Sequence, residues 1–223
     1  MRFWIAVLLG LCVCALPCSS TTTRGRPTSA DDAAVEIIAD GCPNIVQHGV
    51  GLLIEPGRIL TAAHVVAGST TISVRQGATV IVGALLAFDP VNDLAIVGVD
   101  LAQRHPVSLS IGTAGLHAAV VVFRDHRPIS IEALITRQVI LETKDIYGIS
   151  SVQRPGYEVR TTTIVGGDSG AALVVGGIAV AMMWARSRTD VETAWAIDPV
   201  RGGAMIQAQL TRGEPVSPGP CIG

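Results

Sequence analysis

Short apolar runs separated by turn-forming residues fill most of the chain from Asn44 onward. The runs are rich in Val, Ile and Thr, which favour strands, and Gly, Pro, Asp or Arg stand between them. In chain order the runs are NIVQHGVGLLI, RILTAAHVV, TTISVR, ATVIVGALLAF, LAIVGV, AAVVVF, ISIEALITRQVIL, YEVRTTTIV, AALVV and IAVAMMWA. Many short strands with few helical periods predict an all-β fold, either a sandwich or a barrel.

One helix is predicted near the end of the chain. Asp198 and Pro199 have the residue types of an N-cap and a first helical position, and residues 200–210 follow before Gly213 and Pro215. Residues 101–106 interrupt the series of apolar runs and separate the predicted strands into two roughly equal groups. The predicted organisation is a leader at 1–18, a polar linker at 19–40, β units at 41–105 and 106–211, and a Pro- and Gly-rich tail at 212–223.

The leader has the features of an export signal. Arg2 precedes an apolar stretch at 3–16, which is shorter than the about 20 residues that span a bilayer but suits the core of a signal peptide. The sequence ALPCSS at 15–20 resembles a bacterial lipoprotein cleavage box, in which Cys18 would be acylated. We expect a secreted, periplasmic or cell-envelope protein, either free or tethered to the membrane through Cys18.

Only Cys42 and Cys221, of the five cysteines, lie outside the leader. In an oxidising compartment they are the pair that remains after cleavage, so we expect a disulfide between them, with two unpaired thiols as the alternative. The chain-entropy account gives a bridge across such a long loop roughly 4 to 5 kcal/mol of stabilisation.

Composition narrows the possible partners. Hydrophobic residues make up 49% of the chain and charged residues 15%, with a net charge of −2. These values argue against a disordered chain and against a basic surface for nucleic acid. His48, His105, His117 and His126 show no metal-ligand spacing. We therefore expect no nucleic-acid partner and no metal or other cofactor. We also expect a monomer.

The run VGGDSGAALVV at 165–175 contains residues that buried strands usually exclude. A serine hydroxyl becomes a nucleophile when a base takes its proton and donors face the oxyanion that forms. Gly166 and Gly167 give the backbone freedom to aim the N–H groups of Gly167 and Ser169 at one point. Ser169 is thus the candidate nucleophile, and these two amides are the candidate oxyanion hole.

The candidate base is His64, which the small residues of TAAHVV deliver from the end of a strand into a short turn. A carboxylate should fix the tautomer of its imidazole. The sequence DPVNDLAIV offers Asp89 and Asp93 for this role. Asp93 is the preferred candidate because it directly precedes an apolar strand that could bury it.

The blocks TAAHVV, DLAIV and GDSGAALV, in this order, resemble the signature blocks of the chymotrypsin/trypsin-like serine proteases, over residues 44–210. The resemblance implies two six-stranded antiparallel β-barrels, with His64 and Asp93 in the first and Ser169 in the second. It also implies a serine endopeptidase that cleaves polypeptides through an acyl-enzyme. The intervals between the blocks are similar to those of compact bacterial members such as Deg-type catalytic domains, here without a PDZ domain.

Two other activities remain open at this point. The chain could be a protease-fold binding protein that has lost catalysis, or it could hydrolyse a non-peptide ester with the same machinery. A retained triad argues against the first alternative, whereas the sequence does not decide the second.

The pairing of Asp168 departs from the animal trypsin pattern. No IVGG-like N-terminus precedes the first strand to supply the amine that pairs with the aspartate before the serine. We therefore expect an arginine of the second half, Arg137, Arg154 or Arg160, to supply the cation. The charged stretch RDHRP at 124–128 is expected to be a solvated turn.

The resemblance also assigns the substrate pocket. It places Thr163 at the base of the S1 pocket and Met183, Trp184 and Ala185 along its wall and mouth. Because no acidic residue stands at position 163 and no histidine precedes Trp184, cleavage after Arg, Lys or Glu is not expected. These residues predict a small or medium apolar P1 residue.

Overall fold

The computed structural model describes residues 29–43, 45–101, 104–212 and 214–222. Within these ranges twelve strands form two closed antiparallel barrels of six strands each, accompanied by four short helices. The predicted all-β fold with two barrels is therefore confirmed. The predicted signal peptide and the candidate acylation site at Cys18 lie outside the described residues. None of the helices in the described ranges has the length and apolar character that a membrane span requires.

The first barrel follows the order β1-β2-β3-β6-β5-β4 and closes between β4 and β1. Helix α1 (Ser29–Ala33) precedes it, and helix α2 (Ala63–Val66) follows β3. Its strands are β1 (Ala34–Cys42), β2 (Ile45–Glu55), β3 (Arg58–Thr61), β4 (Thr71–Gln76), β5 (Thr79–Asp89) and β6 (Leu94–Gly98).

This barrel begins earlier than the sequence analysis placed it. Strand β1 starts at Ala34, inside the segment 19–40 that was expected to be a polar linker. Val35, Ile37 and Ala39 are buried, whereas the residues between them are partly exposed. This alternation is the period-two pattern of a strand with one buried face. The polar residues just before it conceal the pattern when the segment is judged by composition.

The second barrel follows the order β10-β11-β12-β9-β8-β7 and closes between β7 and β10. Its strands are β7 (His117–Arg124), β8 (Arg127–Lys144), β9 (Ser151–Thr161), β10 (Ala172–Val175), β11 (Ile178–Arg186) and β12 (Thr193–Ile197). Strand β8 has 18 residues. Its length carries the β8–β9 hairpin beyond the barrel wall to the first barrel, where the N–H of Ile146 donates to the carbonyl of Pro90 at 3.2 Å.

The predicted C-terminal helix is present as two segments, α3 (Pro199–Gly202) and α4 (Ala204–Arg212). The Asp198 carboxylate accepts hydrogen bonds from the N–H groups of Val200 and Arg201, which confirms it as the N-cap. Helix α4 lies on the first barrel, because the Gln209 amide both accepts from the Phe88 N–H (2.6 Å) and donates to the Phe88 carbonyl (3.1 Å).

The C-terminal segment returns to the first barrel and ends in the predicted disulfide. Cys42 and Cys221 are bonded, with their Cα atoms 5.7 Å apart. On the way, the Val216 N–H donates to the Leu85 carbonyl at 2.8 Å. The bridge therefore fixes the last described residues beside the end of β1.

Candidate active site

Small buried residues bring His64 to the edge of the first barrel. Strand β3 ends at Thr61, and Thr61, Ala62 and Ala63 are all fully buried. Their small side chains let the chain turn tightly into helix α2 beneath the barrel surface. The imidazole of His64, at the second position of this helix, keeps 29% of its side chain exposed. It is therefore both anchored by its neighbours and open to a ligand.

Asp93 binds His64 through two hydrogen bonds. The backbone N–H of His64 donates to Oδ1 of Asp93 at 2.8 Å, and Nδ1 of the imidazole ring lies 2.8 Å from Oδ2. Asp93 is only 1% exposed and has a φ of 57°, a left-handed conformation that aspartate tolerates. Because a carboxylate accepts, Nδ1 carries the proton and Nε2 of the neutral ring is left as the base.

Asp89 shapes the turn that presents Asp93. Its carboxylate, fully buried, accepts hydrogen bonds from the N–H of Val91 (3.0 Å), the N–H of Asn92 (2.9 Å) and the side-chain amide of Asn92 (2.7 Å). Of the two carboxylates that the sequence offered, Asp93 contacts the imidazole and Asp89 stabilises the turn.

Opposing effects set the protonation of this pair. Burial lowers the pKa of His64, but the charge and hydrogen bond of Asp93 together raise it above the usual histidine value, against a smaller lowering by Arg154. Burial raises the pKa of Asp93, but the charge of His64 and its hydrogen bonds outweigh burial, so that pKa lies below its usual range. The pair is thus arranged to stabilise an imidazolium next to a carboxylate.

Ser169 lies in a tight turn between β9 and β10. The Val165 N–H donates to Oδ2 of Asp168 at 2.8 Å, and the Asp168 N–H donates to the Val165 carbonyl at 3.2 Å. Gly167 has a φ of 93°, and a Cβ at this position would meet no atom within 4 Å. Glycine is therefore needed here for the backbone angle and not for space. The N–H groups of Gly167 and Ser169 donate to no other residue of the described chain.

The serine turn contacts the first barrel close to His64. The Val50 N–H donates to the Ser169 carbonyl at 2.8 Å. A Cβ on Gly49 would lie 2.7 Å from the Val65 side chain and 3.0 Å from the Ser169 carbonyl oxygen. Val65, the residue after His64, and the carbonyl of Ser169 therefore lie close together on either side of Gly49. Within the described residues the Ser169 hydroxyl itself makes no hydrogen bond, to His64 or to any other group.

Arg124 is the cation that pairs with Asp168. Its Nη1 lies 2.6 Å from Oδ1 and its Nη2 2.8 Å from Oδ2, while Nη2 also donates to the Thr163 carbonyl at 3.0 Å. Asp168 is 2% exposed, so this bidentate salt bridge neutralises a buried charge directly before Ser169. The hydrogen bonds that Arg124 donates to Asp168 raise the pKa of Arg124 above its usual value.

The expectation that Arg137, Arg154 or Arg160 would bind Asp168 is wrong. Arg137 pairs with Glu158 on the neighbouring strand, Arg154 donates to backbone carbonyls and Arg160 is exposed. The expected solvated RDHRP turn is confirmed for residues 125–128, which are exposed where β7 connects to β8. Its first residue, Arg124, departs from the expectation because it is partly buried and binds Asp168. The exposed His126 has Nδ1 at 2.9 Å from a carboxylate oxygen of Glu36 in the first barrel.

A cavity of about 140 Å³ lies beside Ser169. The three expected wall residues, Met183, Trp184 and Ala185, all line it. Thr163, expected at its base, is not among the lining residues, and Ile164 is. Thr163 has a φ of 62°, and its carbonyl is turned to Arg124. The full lining is Ile164, Val165, Gly166, Asp168, Ser169, Met183, Trp184, Ala185 and Arg186.

A larger cavity of about 560 Å³ lies on the side of His64 and Asp93. Its other walls come from the start of β2, the β8–β9 hairpin, Arg154, Trp184 and Ile222 of the C-terminal segment. Trp184 lines both cavities, so the two are neighbours across its ring. Among the residues that the structure describes, no three His, Cys, Asp or Glu side chains gather as a metal site.

Comparison with known sequences agrees with this arrangement. The profile of the trypsin-like peptidase domain matches residues 49–181. The serine proteases Rv3671c and MT3772, from two strains of Mycobacterium tuberculosis, are each 28% identical over 193 residues, which is 84% of this chain. The match covers 48% of each relative, so the chain spans about half the length of these curated relatives.

Solved structures show the same fold. The active form of the Rv3671c protease from M. tuberculosis superposes with a TM-score of 0.79 at 26% identity, over 87% of this chain and 88% of that one. The inactive form of the same protease superposes with a TM-score of 0.69 at 25% identity, over 82% of this chain and 90% of that one. The HtrA-type protease AlgW with a tripeptide gives 0.69 at 20% identity, over 83% and 62%, which shows a common fold alone. From its profile match, its two barrels and its relatives, the chain belongs to the trypsin-like peptidase family.

Proposed function

We propose that this chain is a serine endopeptidase with Ser169 as nucleophile and His64 as its base. The observation that carries the proposal is the buried Asp93 carboxylate bonded to Nδ1 of His64 at 2.8 Å, which leaves Nε2 free to accept a proton. Ser169 Oγ would attack the peptide carbonyl carbon while His64 takes the hydroxyl proton. His64 would then protonate the leaving amine as the C–N bond breaks, and water would hydrolyse the acyl-enzyme.

The serine turn supports an oxyanion hole formed by the amides of Gly167 and Ser169. Both amides lack a protein partner in the described chain, and Gly167 has the positive φ that re-aims a peptide plane. Catalytic hydrogen bonds to the serine are often long in free enzymes and tighten on binding, so the unbonded Ser169 hydroxyl is compatible with this role. The higher TM-score with the active form of a relative also supports a competent arrangement.

The cavity beside Ser169 supports a small or medium apolar P1 residue. Its volume of about 140 Å³ is small, and Ile164, Met183 and Ala185 give it apolar walls. A peptide library varied at P1 tests this preference. We expect cleavage after residues such as Ala or Val, and preferred cleavage after Arg or Glu would contradict it.

We also propose that the protein acts outside the cytoplasm. The leader at 1–18 and the disulfide between Cys42 and Cys221 both favour an oxidising compartment. Mass spectrometry of the mature N-terminus tests export. A lipid-modified Cys18 would indicate a membrane tether, a later unmodified start would indicate free secretion, and an intact Met1 would contradict export.

Labelling with a fluorophosphonate probe tests the catalytic assignment. We expect the native protein to be labelled and Ser169→Ala to be unlabelled, with Ser108→Ala, an exposed serine outside the site, as the labelled control. Absence of labelling in the native protein would favour a binding protein that lacks catalysis. Competition between peptide and ester substrates then separates an endopeptidase from an ester hydrolase.

A further inference from the structure

Arg154, on β9, is a buried cation without an anionic partner in contact. It is 1% exposed, yet within the described residues it forms no ion pair. Its Nε donates to the Val91 carbonyl at 2.7 Å and its Nη2 to the Lys144 carbonyl at 3.1 Å. The guanidinium carbon lies 5.3 Å from the centre of the Trp184 ring. A charge held in this way is costly to bury, so its position calls for an explanation.

The partners of Arg154 belong to three elements that surround the candidate active site. Val91 lies in the turn that presents Asp93, Lys144 ends β8, and Trp184 lines both cavities. Arg154 itself lines the cavity that contains His64 and Asp93. One side chain of the second barrel therefore contacts the loop that carries the carboxylate of the first barrel.

The charges around Arg154 explain why a cation is tolerated there. Asp89 and Asp93 are both buried, and Asp145 is near as well. Asp89 is already satisfied by the N–H groups of its own turn. Among the described residues Asp93 is hydrogen-bonded only to His64, which must be neutral before it can act as a base. In that state Arg154 is the buried positive charge in the same cavity, whose other cationic side chain, Lys144, is exposed.

The electrostatic effects agree with this geometry. The charge of Arg154 lowers the pKa of His64 and also lowers the pKa of Asp93, in each case as a smaller effect than burial and the partner's charge. Burial lowers the pKa of Arg154 itself, and the charges of Asp93, Asp89 and Asp145 oppose that lowering. The other charged groups lining the cavity are Lys144 and Asp145, which the variants below leave in place.

We propose that Arg154 is a positioning residue for the catalytic pair: it supplies the buried positive charge that balances Asp93 while His64 is neutral, and it ties the Asp93 turn to Trp184. This inference rests on the proposed function, because it assigns to His64 the role of base. A residue that only joined the barrels would affect stability without changing how His64 titrates.

The test compares Arg154→Met, which removes the charge, with Arg154→Lys, which keeps it. Arg137→Met is the matched control, since Arg137 lies on the neighbouring strand and pairs with Glu158 at the surface. The readouts are the pH dependence of kcat/KM on a peptide substrate and the titration of the His64 ring by NMR. We expect Arg154→Met to move both midpoints upward by about 1 pH unit. In Arg154→Lys we expect both midpoints to stay within about 0.3 pH unit of the native values and KM to rise. In Arg137→Met we expect both midpoints to equal the native values.

Unchanged midpoints in a folded Arg154→Met variant would overturn the proposal, whatever its effect on the rate. If that variant does not fold, Arg154→Lys decides, because an upward shift of about 1 unit despite the retained charge overturns it equally. The NMR titration does not require activity. A native protein that fails to react with the fluorophosphonate probe therefore refutes the proposed function, while the His64 titration still tests the charge of Arg154.

Discussion

The carbonyl oxygen of Ser169 accepts a hydrogen bond from the N–H of Val50, with an N···O distance of 2.8 Å. The serine turn of the second barrel is thereby fixed to β2 of the first. The Val50 carbonyl is engaged too, since the Thr61 hydroxyl donates to it at 2.8 Å. A Cβ on Gly170 would lie 2.0 Å from that carbonyl oxygen. The two barrels therefore meet at backbone contact distance directly beside the candidate nucleophile.

Gly170→Ala should destabilise the fold markedly. Gly170 has a φ of 87°, and the added methyl group would overlap the Val50 carbonyl. We expect a loss of about 2 to 4 kcal/mol in the free energy of unfolding, measured in urea. Gly176→Ala is the control, because Gly176 has a φ of 58° and open space around it. That variant should lose only about 1 kcal/mol. Equal losses in the two variants would show that the barrel contact is unimportant.

Arg124→Met should reduce catalysis by disturbing the serine turn. The substitution leaves the buried Asp168 carboxylate without its cation and frees the Thr163 carbonyl, so the turn that carries the proposed oxyanion donor Gly167 loses its support. Loss of one oxyanion donor typically lowers kcat by about 10² to 10³. We expect a decrease of this size in steady-state assays. Arg127→Met, which changes an exposed arginine of the same hairpin, should retain native kcat, and an equal decrease there would contradict the assignment.

The pH dependence of kcat/KM should have an acid limb above the usual histidine value of about 6.5. Asp93 raises the pKa of His64, and only the unprotonated ring can act as a base, so activity should appear as the pH rises through that raised value. In Asp93→Asn the raising charge is gone while burial still lowers the pKa, so the limb should move to lower pH. The rate should also fall by about 10⁴-fold, because the tautomer is no longer fixed. An acid limb that stays at the native pH in Asp93→Asn would contradict the pairing of Asp93 with His64.

Removal of the disulfide should lower stability and leave the active site intact. Cys42 and Cys221 are 179 positions apart, so reduction frees a long loop in the unfolded chain. We expect the double variant Cys42→Ser/Cys221→Ser to lose about 2 to 5 kcal/mol in denaturant unfolding. Reduction of the native protein should produce the same loss. An unchanged unfolding midpoint would show that the tail binds the barrel equally well without the bridge.

The two six-stranded barrels followed from the resemblance to the chymotrypsin/trypsin-like serine proteases. Local sequence patterns were sufficient for the all-β fold and for the candidates His64 and Asp93. Each depends on neighbours in the chain: aliphatic alternation for strands, small residues before His64, and a buried strand after Asp93. The N-cap at Asp198 belongs to the same class, because the N–H groups that donate to its carboxylate lie two and three residues ahead. The break in the helix after Gly202 was missed, since a glycine pair weakens a helix without marking where it divides.

The partner of Asp168 could not be found in the same way. Arg124 is 44 positions away, and it reaches the carboxylate only because β7 closes the barrel against β10. The sequence favours Arg137, Arg154 or Arg160 and predicts a solvated turn for the stretch that contains Arg124, because nothing local links position 124 to position 168. Arg154 illustrates the same limit, because its proposed role depends on contacts with the carbonyls at positions 91 and 144 and not on any motif. Long-range charge pairing depends on the completed fold.

The bond between Cys42 and Cys221 turns nearly the whole of both barrels into a covalent ring. A single backbone cut anywhere inside that ring opens it without releasing a fragment, so a nicked molecule keeps its mass on a non-reducing gel and separates into two pieces only after the thiols are reduced. An enzyme exposed to other proteases, or to its own activity, would thus keep both halves of its active site on one molecule after the first cleavage.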